Sequence, residues 1–278
     1  MVTTEQAYYN RGFHKSVSDT HAWRTVENSA KHVIPVLQPD FHVLDAGSGP
    51  GTITIDFAKT YLPQGSIIGV EPTQELIDLA NENKAKDPTG VLNVSFQLGS
   101  IYNLPFDDNT FDLVHAHQVL LHLQDPIKAL RELERVTKPG GYVCVRDADL
   151  ESSVAYPEKF EFLSKYYVSK GKSAVSTDTK AGRKLRARAL EAGYAPENLK
   201  TTFSSWLMAD DSLIKNLWAK GTATRIRSGS EVVFPDDPVK NKEINDEAAR
   251  LWEEWLKDGS SVFTMAHYEI VYQKPIQN

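Results

Sequence analysis

Residues 42–51 read His-Val-Leu-Asp-Ala-Gly-Ser-Gly-Pro-Gly, an apolar run that breaks into three closely spaced glycines. Phe41, Val43 and Leu44 have the character of a buried strand, and Asp45 ends it. Gly47, Gly49 and Gly51 let the backbone approach a ligand where any side chain would collide. Apolar residues resume at Ile53, Ile55 and Phe57, with Ala58, in helical spacing. The turn therefore opens a helix whose free N–H groups and positive dipole end face the ligand. A tight strand-to-helix turn without a ligand would use the same residues, but the next segment argues against it. A second strand over 66–70 ends at Glu71, about twenty residues beyond Gly51, where nucleotide-binding folds set a carboxylate on ribose hydroxyls.

Spacing then separates the cofactors. A dinucleotide fingerprint, G-x-G-x-x-G, requires a third glycine at position 52, and that residue is Thr52. The pattern Asp45-x-Gly47-x-Gly49-x-Gly51 instead resembles motif I of the class I S-adenosylmethionine-dependent methyltransferases. Downstream come Gly69-Val70-Glu71-Pro72, Leu104-Pro105-Phe106, Phe111-Asp112-Leu113-Val114 and Arg135-Val136-Thr137-Lys138-Pro139-Gly140-Gly141. In this order the blocks resemble the UbiE/COQ5-like small-molecule branch over about residues 40–147. The resemblance implies an α/β, Rossmann-like fold: a seven-stranded, mostly parallel sheet in the order 3-2-1-4-5-7-6, with helical lid insertions. It also implies S-adenosylmethionine as cofactor, S-adenosylhomocysteine as product and methyl transfer to a small molecule by direct displacement. Carried over residue by residue, the cofactor set is Arg24, Asp45, Ala46, Gly47, Ser48, Gly49, Glu71, Pro72, Gly99, Ser100, Ile101, His117, Gln118 and His122. Ser100 departs from the pattern, because many relatives carry there an Asp that accepts from the adenine amino group; a hydroxyl accepts more weakly than a charged oxygen. Two other classes compete, a non-catalytic cofactor-binding protein of the same fold and an NAD(P)-dependent oxidoreductase.

Composition supports a folded chain. At 278 residues, 41% hydrophobic and 10% aromatic, it can bury a sizeable core, and we read it as one domain over 1–278. Within it, 1–36 form an N-terminal arm and helix, 37–150 the cofactor-binding core, 151–176 and 207–260 the lid insertions, and 261–274 the last strand. The single Cys144, inside an apolar run, rules out a disulfide framework and reads as a packed thiol. No apolar stretch is long enough to span a membrane and the first residues lack signal-peptide character, so the expected location is cytoplasmic. A net charge of −6 opposes broad binding to phosphate backbones, which makes nucleic acid an improbable partner. The oligomeric state has no signature.

Along the chain, Trp23, Val26, Ala30, Val33, Ile34 and Leu37 mark one helix that Pro35 ends or kinks. By the resemblance, Arg24 and the Tyr8/Tyr9 pair approach the methionine end of the cofactor. Thr73 is positioned to cap a helix carrying Leu76, Ile77 and Ala80, and Asp125-Pro126 opens another carrying Ile127, Leu130, Leu133 and Val136. Strands are expected at 94–98, 111–116, 142–146, 199–206 and 262–272, the fifth delivering Asp147 and Asp149 to the ligand rim. A helix over 178–192 stops at Gly193, and its run Lys180, Arg183, Lys184, Arg186 and Arg188 reads as a solvated face. Beyond it, Leu213, Ile214, Leu217 and Trp218 mark a helix ending at Gly221, residues 225–240 read as a surface loop, and Ile244, Ala248, Leu251, Trp252 and Trp255 mark a last helix ending at Gly259. The aromatic segments 1–24, 151–176 and 207–260 together are expected to cover the strand ends.

Displacement at a sulfonium carbon asks the protein to align nucleophile, methyl and sulfur and to exclude water. That chemistry calls for no metal, and the eight histidines show no metal-ligand spacing. The catalytic candidates are His117 and His122, imidazoles at the carboxyl end of the fourth strand that can act as general bases, with Asp147 arriving from the neighbouring strand.

Overall fold

The apolar run before the glycine turn is β1, His42–Ala46, at the centre of a sheet. A computed structural model describes residues 21, 23–174, 176–210 and 212–276. β2 (Ser66–Glu71) and β3 (Val94–Leu98) lie parallel on one side of β1, β4 (Phe111–His117) and β5 (Thr137–Ala148) parallel on the other. β8 (Val262–Gln273) runs antiparallel beside β5, and β7 (Leu199–Met208) pairs antiparallel with β8. The order β3-β2-β1-β4-β5-β8-β7 is the expected 3-2-1-4-5-7-6 arrangement plus one short strand that the residues did not announce. That strand, β6 (Val154–Tyr156), pairs with residues 262–264 at the start of β8.

Helices cover both faces, as a central parallel strand requires; Val43, Leu44 and Ala46 of β1 are wholly buried. On one face Leu130 and Leu133 from the helix Pro126–Val136 pack with Leu185 and Ala189 from the helix Ala181–Ala192. On the other, Val26 and Val33 from the N-terminal segment pack with Phe57 and Leu62, which follow the helix Thr52–Asp56. A further core joins the helices Glu161–Ser173, Leu213–Arg227 and Pro238–Lys257 around Trp218, Trp252 and Trp255 and closes on Trp23, Trp206 and Phe263. The helical character of the insertions thus holds. No helix among the described residues is long and apolar enough to cross a membrane.

Several boundaries differ from the expectation, each for a local reason. The N-terminal helix is broken: Val26–Ser29, with a Thr25/Asn28 capping box, gives way at Ala30 to a 3₁₀ segment, Lys31–Val36, containing Pro35. Proline has no N–H to continue an α-helix, yet Trp23, Val26, Ala30 and Val33 still bury together with the main body. Thr73 holds the cap position of the helix Gln74–Lys86, but its hydroxyl makes no cap bond and lies beside the Glu71 carboxyl. Gly221 does not stop its helix, which continues to Arg227; the glycine is buried where this helix packs on Pro238–Lys257. The following loop is shorter than expected, 228–237, and is not all surface, since Glu231 and Val233 are buried. The basic run keeps its solvated face, with Lys180, Arg183, Lys184 and Arg186 exposed, and most of its charges are paired across that surface. Lys180 pairs with Glu151, Arg183 with Asp149, and Lys184 and Arg188 with Asp178, while Arg186 donates to the Leu199 carbonyl. Cys144 is fully buried, and burial pushes its thiol far above the usual range.

Candidate active site

A cleft opens at the carboxyl ends of β1, β2 and β4. The glycine turn forms its floor. Gly47, Gly49 and Gly51 have φ of 80°, 52° and 76°, left-handed backbone that side chains rarely tolerate. A Cβ on Gly47 would come within 2.4 Å of Val119 Cγ2, whereas one on Gly49 would meet no protein atom within 4 Å and point into open cleft.

Glu71 ends β2 against this turn with only 4% of its surface exposed. Its Oε2 accepts the Gly49 N–H at 3.2 Å, while Oε1 is buried without a partner. Burial pushes the carboxyl up to about 7, against the nearby Thr73 hydroxyl and the Gly49 and Thr73 amides. Asp45 also lines the cleft, but its oxygens are engaged from behind: Oδ2 accepts from the Thr54 hydroxyl at 2.6 Å and Oδ1 meets His115 Nδ1 at 2.8 Å. These contacts tie β1, β4 and the helix Thr52–Asp56 together under the turn.

The opposite end is built from imidazoles and arginine. His117, the last residue of β4, is 6% exposed and has no hydrogen-bond partner on either nitrogen. Burial, then the charges of Arg146 and Arg24, hold it well below the usual imidazole value. The backbone turns left-handed at Gln118 (φ 54°), a conformation costing about 1–2 kcal/mol for an ordinary residue. Gln118 N–H donates to the Arg146 carbonyl at 2.8 Å, and the side chain bridges Arg24 (3.0 Å) and His267 (2.8 Å). Arg24 also lies over Trp206, 5.0 Å from the ring centroid. His122 Nδ1 sits 3.2 Å from Thr177 Oγ1, and burial, then Lys170 and Arg24, lower it to about 3.

Of the residues carried over from the resemblance, Arg24, Asp45, Gly47, Ser48, Gly49, Glu71, Pro72, Gly99, Ile101, His117, Gln118 and His122 line this one cleft. Ala46 and Ser100 do not. Ala46 is packed in the core, and Ser100 Oγ accepts the Tyr102 N–H at 3.2 Å. The expected delivery of Asp147 and Asp149 to the rim also fails. In the β4–β5 ladder His117 stands opposite Arg146, so the next residue, Asp147, faces the other side of the sheet. There it is fully buried near Arg188, and burial raises it to about 8, while Asp149 pairs with Arg183. His117 therefore has a guanidinium, not a carboxylate, beside it. Tyr8 and Tyr9 lie outside the described residues. Sequence reasoning missed His21, Thr52, Ile53, Val119 and Leu123, which also line the cleft; Val119 and Leu123 adjoin residues already singled out, whereas His21 carried no signal.

A family model for a methyltransferase domain matches residues 37–203. The chain belongs to that family. An uncharacterized methyltransferase of Schizosaccharomyces pombe is 42% identical over 275 residues, 98% of each chain. A demethylmenaquinone methyltransferase of Symbiobacterium thermophilum is 34% identical over 109 residues, 39% of this chain and 43% of its own length. The YcgJ protein of Bacillus subtilis shares the fold, with a TM-score of 0.57 at 22% identity over 89% of this chain and 98% of its own. The protein is a methyltransferase with the S-adenosylmethionine-binding fold, and the oxidoreductase reading, already weakened by Thr52, falls with that membership. The match is to methyltransferase domains at large and does not single out the UbiE/COQ5-like branch.

Proposed function

We propose that the cleft binds S-adenosylmethionine, with its ribose on Glu71 and its methionine end toward Arg24, and that the acceptor is a small molecule held near His117, Gln118 and His122. The observation that carries this reading is the buried, unpartnered Oε1 of Glu71, facing a cleft whose floor leaves the space over Gly49 open. A buried carboxylate oxygen without a donor is costly, and a ribose hydroxyl supplies one. Arg24, on the same wall as Gln118, suits the cofactor carboxylate. Relatives named as quinone-pathway methyltransferases favour the UbiE-like branch.

When bound, the cofactor supplies a sulfonium methyl that needs no further activation. The chain's residues align the acceptor and keep water out. His117 and His122, both held neutral by burial and neighbouring cations, present unprotonated imidazole nitrogen to an acceptor hydroxyl, amine or acidic carbon. A base that weak contributes little to proton removal, so alignment and desolvation carry the rate. No metal is assigned a step. Calorimetric titration with S-adenosylhomocysteine and, separately, NADH tests the reading. Micromolar binding of the first and none of the second is expected, on the order typical of small-molecule enzymes; tighter NADH binding overturns it.

A further inference from the structure

A second pocket lies between the N-terminal segment and the strands β5, β7 and β8, and no described residue lines both it and the cofactor cleft. Its walls include Trp23, Asn28, Arg146, Trp206, Met208 and Glu269. Trp23 packs edge-on against Trp206 with 4.7 Å between ring centroids, and the Arg146 guanidinium lies over the Trp206 ring at 5.2 Å. Trp206 also touches the cleft, since Arg24 lies 5.0 Å from its centroid and the His117 ring 5.6 Å. Pocket and cleft are thus neighbours across one indole.

The polar groups of this pocket are unevenly matched. Its acceptors are committed: Glu269 Oε1 takes the Arg146 Nε–H at 3.2 Å and the Ser204 hydroxyl, and Oε2 takes the Thr202 hydroxyl at 2.7 Å. Asn28 Oδ1 accepts the Thr25 N–H at 2.9 Å and the Ser29 hydroxyl at 2.7 Å, while the Asn28 carbonyl accepts the Trp206 indole N–H at 3.0 Å. Two donors are left over. The Trp23 indole N–H and the Arg146 Nη1 are buried without a partner, on residues 7% and 1% exposed. Burial lowers Arg146 to about 10, partly offset by Glu269, so the guanidinium keeps its charge at pH 7. Folded proteins rarely leave such donors unmet, because each gives up its hydration for no bond. The formal charges, by contrast, already cancel: Arg146 faces Glu269, and at the exposed rim Lys31 pairs with Glu27.

We infer that this pocket is a second small-molecule site, taking a flat, uncharged ring that bears a carbonyl, whose oxygen meets the Trp23 and Arg146 donors. Trp23, Trp206, Met208 and Ile214 give the ring an aromatic and apolar wall. A carbonyl oxygen has two lone pairs and no proton, so it answers a surplus of donors without adding to it. The charge balance decides against the alternatives. A carboxylate would bring another anion beside Glu269 and Glu27, and an amine would add donors where donors are already in excess. A hydrocarbon would cover the wall and leave both donors unmet. The site goes beyond the cofactor assignment and does not rest on it, because the two sets of lining residues are separate.

The test titrates the full chain, with and without S-adenosylhomocysteine, with benzamide, acetophenone, benzoate, benzylamine and toluene. Indole ¹H–¹⁵N spectra follow the five tryptophan side chains, and Trp23→Phe assigns the Trp23 signal while removing its N–H and keeping an aromatic ring. Benzamide and acetophenone are expected to bind with dissociation constants on the order of 1 mM, the scale for so few atoms, and to move the Trp23 indole proton downfield as it gains an acceptor. Benzoate, benzylamine and toluene should bind at least about fivefold more weakly, the range for one or two hydrogen bonds. Trp23→Phe should weaken the two carbonyl probes about three- to tenfold and leave toluene unchanged. Arg146→Lys, which keeps the charge facing Glu269 but loses the planar fork, should weaken them as well; should it fail to fold, Trp23→Phe, which removes an N–H bonded to nothing, still decides. The same shifts are expected with and without S-adenosylhomocysteine, so failure of the cofactor reading leaves this outcome standing. No shift of the Trp23 signal by either carbonyl probe up to about 20 mM, equal binding of benzoate or toluene, undiminished affinity in Trp23→Phe, or displacement of S-adenosylhomocysteine by benzamide overturns the inference.

Discussion

The two ends of the cleft are built by different means. At the glycine end the turn and its carboxylate lie within residues 45–71: one strand, one turn, one helix start and the carboxylate that closes the next strand. At the imidazole end Arg24 meets Gln118 across 94 residues and Gln118 meets His267 across 149. The first end follows from local backbone requirements; the second exists only once the sheet register and the lid packing are set. Backbone geometry fixes the ligand common to a family, and long-range side-chain packing fixes what is particular to this chain.

The largest effect expected is at the turn. Gly49→Val would place its side chain in the open cleft and in left-handed backbone, costing the fold about 1–2 kcal/mol but filling the ligand's space. S-adenosylhomocysteine affinity should fall by at least about a hundredfold, a loss of about 2.7 kcal/mol, with the far-ultraviolet circular dichroism spectrum retained. Binding that survives in a folded variant would move the cofactor to the other end of the cleft and dissolve the contrast drawn above.

Glu71→Ala comes next. Loss of hydrogen bonds to a charged acceptor should weaken S-adenosylhomocysteine by about 1.5–3 kcal/mol, roughly ten- to a hundredfold. An unchanged dissociation constant in the folded variant removes Glu71 from the site and leaves its free oxygen unexplained.

These first two effects concern residues legible in the sequence, and the reason is local. A left-handed glycine and a strand-end carboxylate leave their mark within a few residues. The sheet order followed from the family resemblance, and individual helix ends were legible locally, as at Asp125-Pro126 and Gly193. What could not be read depended on register and on distant partners. Asp147 appeared to be a rim carboxylate because it ends a strand, but one residue of parity turns it away and brings Arg146 beside His117. The basic run 180–188 is exposed as read, but its partners, Asp149, Glu151 and Asp178, are recognisable only once the chain is folded. Trp23, Arg146 and Trp206 lie far apart in the chain, and nothing in their spacing announces that they meet.

Glu71 also makes the contrast sensitive to pH. Its carboxyl is raised from an ordinary value to about 7 in the free protein, so the folded state holds a proton that the unfolded chain releases near 4.5. The stabilising contribution of that proton is full below about 4.5 and is lost as pH climbs through 7. Ribose hydroxyls donating to the ionised carboxylate lower the value again. Binding should then release a proton at pH 6, and affinity should rise with pH up to about 7 by at most about tenfold per unit before levelling. Calorimetry in two buffers of different ionisation enthalpy measures the release directly; no proton release at pH 6 would mean that the carboxylate is not the ribose acceptor.

The smallest effect is expected at the other end, from a residue whose type suggests the largest. A histidine at a ligand rim reads as a general base, worth about 10²- to 10⁴-fold when its affinity for protons matches working pH. His117 is instead pressed well below that range by burial, Arg146, Arg24, His267 and His115, and the carboxylate that would restore it faces the other side of the sheet. Its imidazole is neutral throughout the neutral range and too weak to gain much from a proton. With an acceptor that turns over, His117→Asn should therefore lower kcat by less than about tenfold, and the pH-rate profile of the native protein should show no limb between pH 6 and 8 that the variant loses. S-adenosylhomocysteine binding measured on the same variant distinguishes alignment from simple loss of the site. A fall of a hundredfold or more together with loss of such a limb would make His117 the base, and the imidazole end would then contribute proton transfer as well as recognition.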